Sequence, residues 1–244
     1  MSHDHGPTDS AQVPWAGRDL SPSGFEADTG APDPLLQAAL AGPADDLTLM
    51  RSVEASRFVV PVVAEPTEVD TTGEHVVEKQ VDMAAVTLVA PDGQRALPVF
   101  TSTDALAAWD PTARPVPVTP ARAGQAAVSE GCDVIVVDVA GPAPRVLRPS
   151  MVWALAQQRP WEPPHTDPFV ERSVAAALRD EDDVTAHELE EGNPRGEGVL
   201  GVVLDLEPGL TPEQVRAVAT RVGERLATDG ELRARIDGLA FRLR

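Results

Sequence analysis

Apolar and polar residues recur along this chain with two periods, one typical of strands and one typical of helices. Residues 97–100 are apolar and strand-like, residues 101–103 carry hydroxyls that can cap a helix, and Leu106 and Trp109 lie three positions apart on one helical face. The segment 96–111 therefore predicts a strand, a helix cap and an amphipathic helix in direct succession.

The same patterns predict the other elements that precede residue 159. We expect helices over 33–40, 121–129 and 149–158, and strands over 57–63, 84–89, 116–118, 134–137 and 145–147. Residues 134–137 are consecutive β-branched residues, which predicts a strand buried on both faces. Pro61 predicts that its strand lies at a sheet edge or ends at the proline. Asp92 and Gly93, between two apolar runs, predict a hairpin.

Four prolines within residues 159–168 predict a domain boundary, because prolines at that density continue neither a helix nor a central strand. Thr211 and Gln214 form a capping-box pattern at the start of the last long helix. Beyond the boundary we expect helices over 169–178 and 211–227 and strands over 184–189, 200–206 and 236–243.

The order of these elements predicts an α+β protein with two small domains, each a mixed sheet flanked by helices. Asp, Gly, Pro and Ser dominate residues 1–30, and this composition predicts a flexible acidic tail. We therefore expect a tail over 1–30, a first domain over 31–159, a proline-rich linker over 160–168 and a second domain over 169–244.

The formal net charge is −19, and the acidic residues are unevenly distributed. Residues 1–50 hold eight acidic residues and one basic residue, whereas residues 199–244 hold seven of each. The only lysine is Lys79, tyrosine is absent, and no basic cluster is interleaved with aromatic residues. We therefore expect no direct contact with nucleic acid, since such contacts need a basic surface.

Compartment and redox state follow from the termini and the cysteine count. The first residues form neither the basic nor the apolar region of a signal peptide, and no stretch approaches the ~18 apolar residues of a membrane span. Cys132 is the single cysteine, so no intramolecular disulfide is possible, and it begins a strand-like apolar run. We expect a cytoplasmic protein with no membrane contact and a buried cysteine.

The common catalytic and cofactor motifs are absent from the sequence. It contains no phosphate loop, no dinucleotide-binding glycine pattern and no nucleophile elbow. His187 begins a zinc-helix-like pattern, but Glu191 replaces the second histidine and the surroundings resemble a strand, so an acidic surface edge is favoured. We predict no catalytic residue, no cofactor and no metal site.

Two sets of residues remain candidates for binding. Thr101, Ser102 and Thr103 end a strand and begin a helix, where free backbone amides can bind an anion or another ligand. Simple capping explains the same hydroxyls and is favoured, because no glycine allows a ligand close approach. Trp15 and Phe25 are isolated aromatic residues of the tail, and they are candidate contacts either to a protein partner or, more simply, to the folded body.

These features resemble the SseB family over about residues 32–158. The residues that carry the resemblance are 97–102, Leu106, Trp109, 131–137, 141–142 and 149–156. Residues 13–18, Phe25 and Asp28 look like the tail of actinobacterial members, and residues 168–244 are similar to the C-terminal domain that often accompanies the first. The resemblance implies a cytoplasmic protein of unsettled biochemical role, named for a serine-sensitivity phenotype, with no established catalytic residues.

The leading hypothesis is a non-catalytic interaction or regulatory protein that acts through a protein partner. The alternative is a protein that binds an anion or an amino-acid metabolite, or an enzyme linked to amino-acid metabolism. A concave pocket that joins Thr101, Ser102 and charged side chains with perturbed pKa values would favour this alternative. A translation-associated factor is a lesser alternative, and the sequence leaves the oligomeric state open.

Overall fold

A computed structural model describes residues 24–42, 45–64 and 83–244, and the helices and three small sheets of these residues confirm the α+β class. The predicted tail lies largely outside the described residues. The elements in chain order are α1 (Pro34–Ala41), α2 (Asp46–Glu54), β1 (Phe58–Ala64), β2 (Met83–Ala85), β3 (Leu88–Val89), β4 (Arg95–Val99), α3 (Thr103–Trp109), β5 (Arg114–Val118), α4 (Pro120–Ser129), β6 (Val134–Val137), β7 (Arg145–Leu147), α5 (Pro149–Ala156), α6 (Pro168–Leu178), β8 (Val184–Glu191), β9 (Val199–Leu206), α7 (Pro212–Thr228), α8 (Gly230–Arg233) and β10 (Gly238–Leu243).

Elements α1–α5 and β1–β7 form what we call the first body. One sheet has the order β3-β4-β6-β7, with β4 and β6 parallel and the predicted hairpin joining β3 to β4. The other has the order β2-β1-β5. Val59 and Phe100 exchange two backbone hydrogen bonds of 2.8 Å, which join the sheets. Helices α1, α2, α4 and α5 enclose the main core, and α3 packs Leu106 against Val59 and Phe100 in a separate cluster.

The expectation that Pro61 marks an edge strand or a strand end is wrong, because β1 is the central strand of its sheet and continues beyond the proline. Val59 bonds to Phe100 on the side away from β5, so its pair with Pro117 is not hydrogen-bonded. Pro61 faces Pro115 two residues further along and occupies the same kind of position. No hydrogen bond to β5 is lost there, and β5, the strand expected around residues 116–118, lies at the edge of the sheet.

Helix α2 is an element that the sequence analysis did not anticipate. Asp45 caps it by accepting a hydrogen bond from the backbone N–H of Thr48 at 2.8 Å. Leu49, Met50 and Val53 are buried at helical spacing. These signals lie in the sequence, although only nine residues carry them. The helix supplies one wall of the first core.

Elements α6–α8 and β8–β10 form the second body. Strand β9 pairs antiparallel with β8 and parallel with β10, and α6, α7 and α8 cover one face of the sheet. The predicted capping box of Thr211 and Gln214 starts α7. On the opposite face, Val203 is only 1 % exposed although it lies outside the helix-packed core. Ion pairs from β8 to β10, including Glu190 to Arg242 at 2.6 Å, cross this face and cover it.

The segment predicted to be a linker packs against the first body. Trp161 is 4 % exposed and belongs to the first core. Its indole Nε1 donates a hydrogen bond to Ser150 Oγ at 3.1 Å. The prolines in residues 159–168 therefore shape a fixed path along the protein surface.

Arg148 joins the two bodies through a partly buried polar network. Its guanidinium donates to Asp237 at 3.0 Å, to Asp46 at 2.9 Å and to the carbonyl of Gly196 at 2.8 Å. Asp237 also accepts 2.8 Å hydrogen bonds from the backbone N–H and the hydroxyl of Ser150. The carboxylate of Asp237 is thus bonded by groups from the first body on both of its oxygens.

Gly198 supplies the first test of this junction. Its φ is +70°, and a Cβ atom there would lie 2.1 Å from Asp237 Oδ2 and 2.9 Å from Arg148 Nε. We expect Gly198→Ala to lower the free energy of unfolding by about 2–4 kcal/mol, because it adds backbone strain and displaces a buried ion pair. Urea unfolding measures the change.

Gly209→Ala is the matched control, because Gly209 has a φ of +92° but open space around its Cα. It should cost only the strain of the left-handed conformation, about 1 kcal/mol. Equal losses in the two variants would show that the contact with Asp237 does not contribute.

Candidate functional site

Parallel strands β4 and β6 end at the same edge of their sheet and bring Thr101, Ser102 and Thr103 close to Asp138. The backbone N–H of Asp138 donates to the carbonyl of Val99 at 2.9 Å, which continues the ladder past the end of β6. Ligands of open sheets bind beyond the carboxyl ends of parallel strands. This edge is therefore the candidate site.

Asp138 occupies both hydrogen-bond donors of Thr101. The Thr101 backbone N–H donates to Oδ1 at 2.8 Å, and the Thr101 hydroxyl donates to Oδ2 at 2.7 Å. Thr101 is only 3 % exposed, and Asp138 has a φ of +50°, a conformation that aspartate tolerates better than most residues. The carboxylate also places a negative charge where an anion would have to bind.

The other two hydroxyl residues also make contacts within the chain. Ser102 is the N-cap of α3, and its Oγ accepts a hydrogen bond from the backbone N–H of Ala105 at 3.0 Å. The backbone N–H of Thr103 donates to the carbonyl of Gly30 at 3.0 Å. The structure therefore brings the three candidate residues together in a closed network that includes the favoured cap.

Arg57 fastens the segment 28–31 over this edge. Its guanidinium donates to both carboxylate oxygens of Asp28, to the carbonyl of Ala31 at 2.7 Å and to the carbonyl of Thr101. The hydrogen bond from Arg57 lowers the pKa of the Asp28 carboxyl below its ordinary value. Sequence reasoning missed Arg57 and Asp138, which lie next to strand ends but carry no motif.

Residues 33–154 match the family model described as SseB protein N-terminal domain. The chain belongs to the SseB family. The matched SseB domain includes Arg57, Thr101 and Asp138, whereas Trp161 and the second body lie outside it. No curated protein and no solved structure matches the chain in the same comparisons. The similarity of residues 168–244 to a companion domain and the actinobacterial type of the tail stay predictions.

Phe25, at the entry to the SseB domain, is half-buried, and its carbonyl accepts a hydrogen bond from the backbone N–H of Asp28 at 3.0 Å. Trp15, the other candidate contact residue, lies outside the described residues. Phe25 therefore immediately precedes the segment that Arg57 fastens.

The remaining chemical candidates have structural partners. His187 Nε2 lies 3.0 Å from Glu171 Oε1 on α6, and among the described residues no cluster of three metal-ligating side chains occurs. Cys132 of the SseB domain is buried, as predicted, and burial raises the pKa of its thiol.

In the described part of the chain, no helix has the length and apolar character needed to cross a membrane.

Asp138→Asn tests the bonds that close the SseB-domain edge. Asparagine tolerates the left-handed backbone equally well, but its amide nitrogen cannot accept a hydrogen bond from Thr101. We expect the free energy of unfolding to fall by about 1–3 kcal/mol, because one buried donor loses its acceptor. Asp110→Asn is the control, since Asp110 accepts from both the N–H and the hydroxyl of Thr112 through Oδ1 alone, so the amide oxygen keeps both bonds while the charge is removed. If the control loses as much stability, the loss of charge and not the loss of an acceptor for Thr101 is the cause.

The ion pair of Asp28 and Arg57 predicts a pH dependence of stability. Because the folded-state pKa of Asp28 is lowered, its stabilisation is complete above the unfolded pKa of about 3.9 and is lost as the pH falls through the lower folded value. The difference in unfolding free energy between the native chain and Asp28→Asn should therefore shrink in acid. Urea titrations from neutral pH to about pH 3 measure it. A difference in unfolding free energy that does not change with pH would contradict this assignment. The same holds if the difference still shrinks in acid when both proteins carry Arg57→Met.

Proposed function

We propose that the protein is a non-catalytic interaction or regulatory member of the SseB family, acting in the cytoplasm through a protein partner. The observation that carries this proposal is the closed edge beyond β4 and β6. There the hydroxyls of Thr101 and Ser102 bond to groups of the chain itself, and the segment 28–31 covers the strand ends.

The titratable groups of this edge support a structural role. A general acid or base works best with a pKa near the working pH. The hydrogen bond from Arg57 keeps Asp28 ionised, because it lowers the pKa of the carboxyl further below neutral pH. Its charge serves to anchor a segment rather than to transfer a proton.

The partner contact that we propose lies before residues 28–31 in the chain, the segment that Arg57 holds in place. Arg57 fixes residues 28–31, so the aromatic residues Phe25 and Trp15 precede a stationary point on the surface. Aromatic residues commonly dominate binding energy when they enter a pocket. Residues 1–30 carry five acidic residues and one basic residue, so the complementary partner surface is an apolar pocket bordered by basic groups.

A small acidic ligand is the second candidate function. It is favoured by a cavity that is lined by Arg159, which follows α5, by Arg172 of α6 and by Arg235, and that includes none of the three hydroxyl residues. The two functions use different surfaces and are tested separately.

Trp15→Ala in the intact protein tests the interaction. Affinity capture at native expression, quantified by mass spectrometry, should recover one reproducible partner with the native chain. Loss of an anchoring tryptophan should weaken binding of that partner by about 30-fold, the effect of a hot-spot residue. Deletion of residues 1–27, which leaves the segment 28–31 in place, should weaken it at least as much.

Trp153→Ala is the matched control, because Trp153 is an exposed tryptophan on α5 with 41 % of its surface accessible. It should leave recovery of the partner unchanged. Equal recovery with Trp15→Ala, or failure to recover any partner across growth conditions, would contradict the proposed interaction.

A further inference from the structure

Arg159 is held at a fixed position where the first body ends. Helix α5 closes with Gln158 at a φ of +55°, while the backbone N–H groups of Gln158 and Arg159 donate to the carbonyls of Leu155 and Ala154 at 3.0 and 2.9 Å. This pair of hydrogen bonds is a Schellman motif, which fixes the chain direction after a helix. The backbone of Arg159 is therefore set by α5.

The side chain of Arg159 lacks the acceptors that a buried guanidinium requires. Its Nε and Nη2 atoms are withdrawn from solvent and have no hydrogen-bond partner within the described residues. Burial lowers the pKa of this guanidinium, and the nearby positive charge of Arg235 lowers it further. Unsatisfied buried polar groups are costly, and charged groups more so. An acceptor with negative charge would relieve both effects.

The second body completes a groove around Arg159. A cavity of about 290 Å³ is lined by Arg159, Glu162, Asp167, Phe169, Arg172 and Arg235. The ring of Phe169 lies 4.4 Å from the guanidinium carbon of Arg235 and 5.8 Å from that of Arg172. Arg172 makes no ion pair with any described residue. Three arginines thus line one cavity beside an aromatic wall, and of these Arg159 and Arg172 make no ion pair with a described residue.

The acidic residues of the groove act on Arg159 without bonding its buried nitrogens: the charges of Glu231, Asp167 and Glu162 raise its pKa, against the larger effects of burial and Arg235, but none of them accepts a hydrogen bond from Nε or Nη2. Asp167 bonds Arg235 at 2.8 Å through Oδ2 and the backbone N–H of Phe169 at 2.7 Å through Oδ1. Glu231 bonds Arg235 as well, so the charge of Arg235 is matched. Glu162 is exposed and makes no hydrogen bond to Arg159. Among the described residues, the buried Nε and Nη2 of Arg159 therefore lack an acceptor, and Arg172 lacks an ion-pair partner.

We propose that this groove binds the oxyanion of a small acidic ligand, a carboxylate or a phosphate, between Arg159 and Arg172 with Phe169 as its apolar wall. The planar forks of two guanidiniums match the oxygens of either group. The volume lies at the lower limit of small-molecule sites, which favours a ligand of a few heavy atoms. This site gives the second proposed function a location and a ligand class, and it does not depend on the protein partner.

Nuclear magnetic resonance of the intact protein tests the site without any partner. The arginine Nε–Hε signals of Arg159 and Arg172 are assigned from the variants that remove them. The protein is then titrated with succinate in one arm and inorganic phosphate in the other, each against sodium chloride at equal ionic strength. We expect a saturable shift of both signals with a Kd of about 1 mM or lower.

Substitutions make the assignment specific. Arg172→Gln should weaken binding at least about tenfold, and Arg159→Lys, which keeps the charge and the fold but loses the planar fork, should also weaken it. Arg216→Gln, on the exposed face of α7, is the control and should leave binding unchanged. Saturation by succinate alone assigns a carboxylate, by phosphate alone a phosphate, and by both a general oxyanion site.

Two outcomes would overturn the proposal. One is the absence of a saturable shift in both arms up to about 10 mM ligand, a range that covers millimolar affinities. The other is equal weakening by Arg216→Gln, which would mean that only the general charge of the surface attracts anions. Neither outcome affects recovery of a partner through Trp15, so this proposal and the interaction proposal fail separately.

Discussion

The contact between Arg148 and Asp237 fixes how the two bodies meet. The guanidinium reaches α2, the turn before β10 and the loop between β8 and β9 through three hydrogen bonds. Removing two charges from water is expensive, and such a pair stabilises a protein only when its remaining donors and acceptors are also bonded. Ser150 meets this condition by donating twice to Asp237. Gly198 is required because any side chain there would occupy the position of the carboxylate. These bonds therefore join α2 of the first body to the turn before β10 and the loop between β8 and β9 at one point.

Periodicity and caps predicted most elements of the fold, because these signals are local. Helix α1, the buried strand β6 and the capping box of α7 are each specified by residues within four positions of one another. The expectation for Pro61 failed for a different reason. Whether a proline removes a ladder hydrogen bond depends on its register with the neighbouring strand, and that register depends here on the distant contact between Val59 and Phe100. The burial of Trp161 likewise depends on Ser150 and on the completed first core.

The candidate site likewise combines a local contact that the sequence predicts with distant contacts that it does not. Ser102 as a helix cap was predictable from the change of pattern after residue 100, since the cap bonds only three residues ahead. Asp138 lies 37 residues from Thr101, and Arg57 lies 29 residues from Asp28. These partners meet only because β4 and β6 run parallel and β1 passes beside the end of β4. A single sequence carries no signal for such pairs. Hydroxyl residues at a strand end therefore indicate a bonded edge, while the topology decides whether the edge is open or closed.

Arg148 and Arg159 flank α5 and show two outcomes for a guanidinium that folding removes from water. Arg148 donates hydrogen bonds to two carboxylates and a backbone carbonyl, so its charge stabilises the contact between the bodies. Arg159 lies beside the ion pair of Arg235 and Asp167. The carboxylate oxygens of Asp167 already accept hydrogen bonds from Arg235 and from the backbone N–H of Phe169. The satisfied arginine preorganises the unsatisfied one, because the junction that Arg148 fixes also sets the spacing between Arg159 and α6. Preorganisation lowers the cost of ordering a site when a ligand arrives. A ligand held between Arg159 and Arg172 would add a second link across the same junction, so its affinity should depend on the integrity of the Arg148 network.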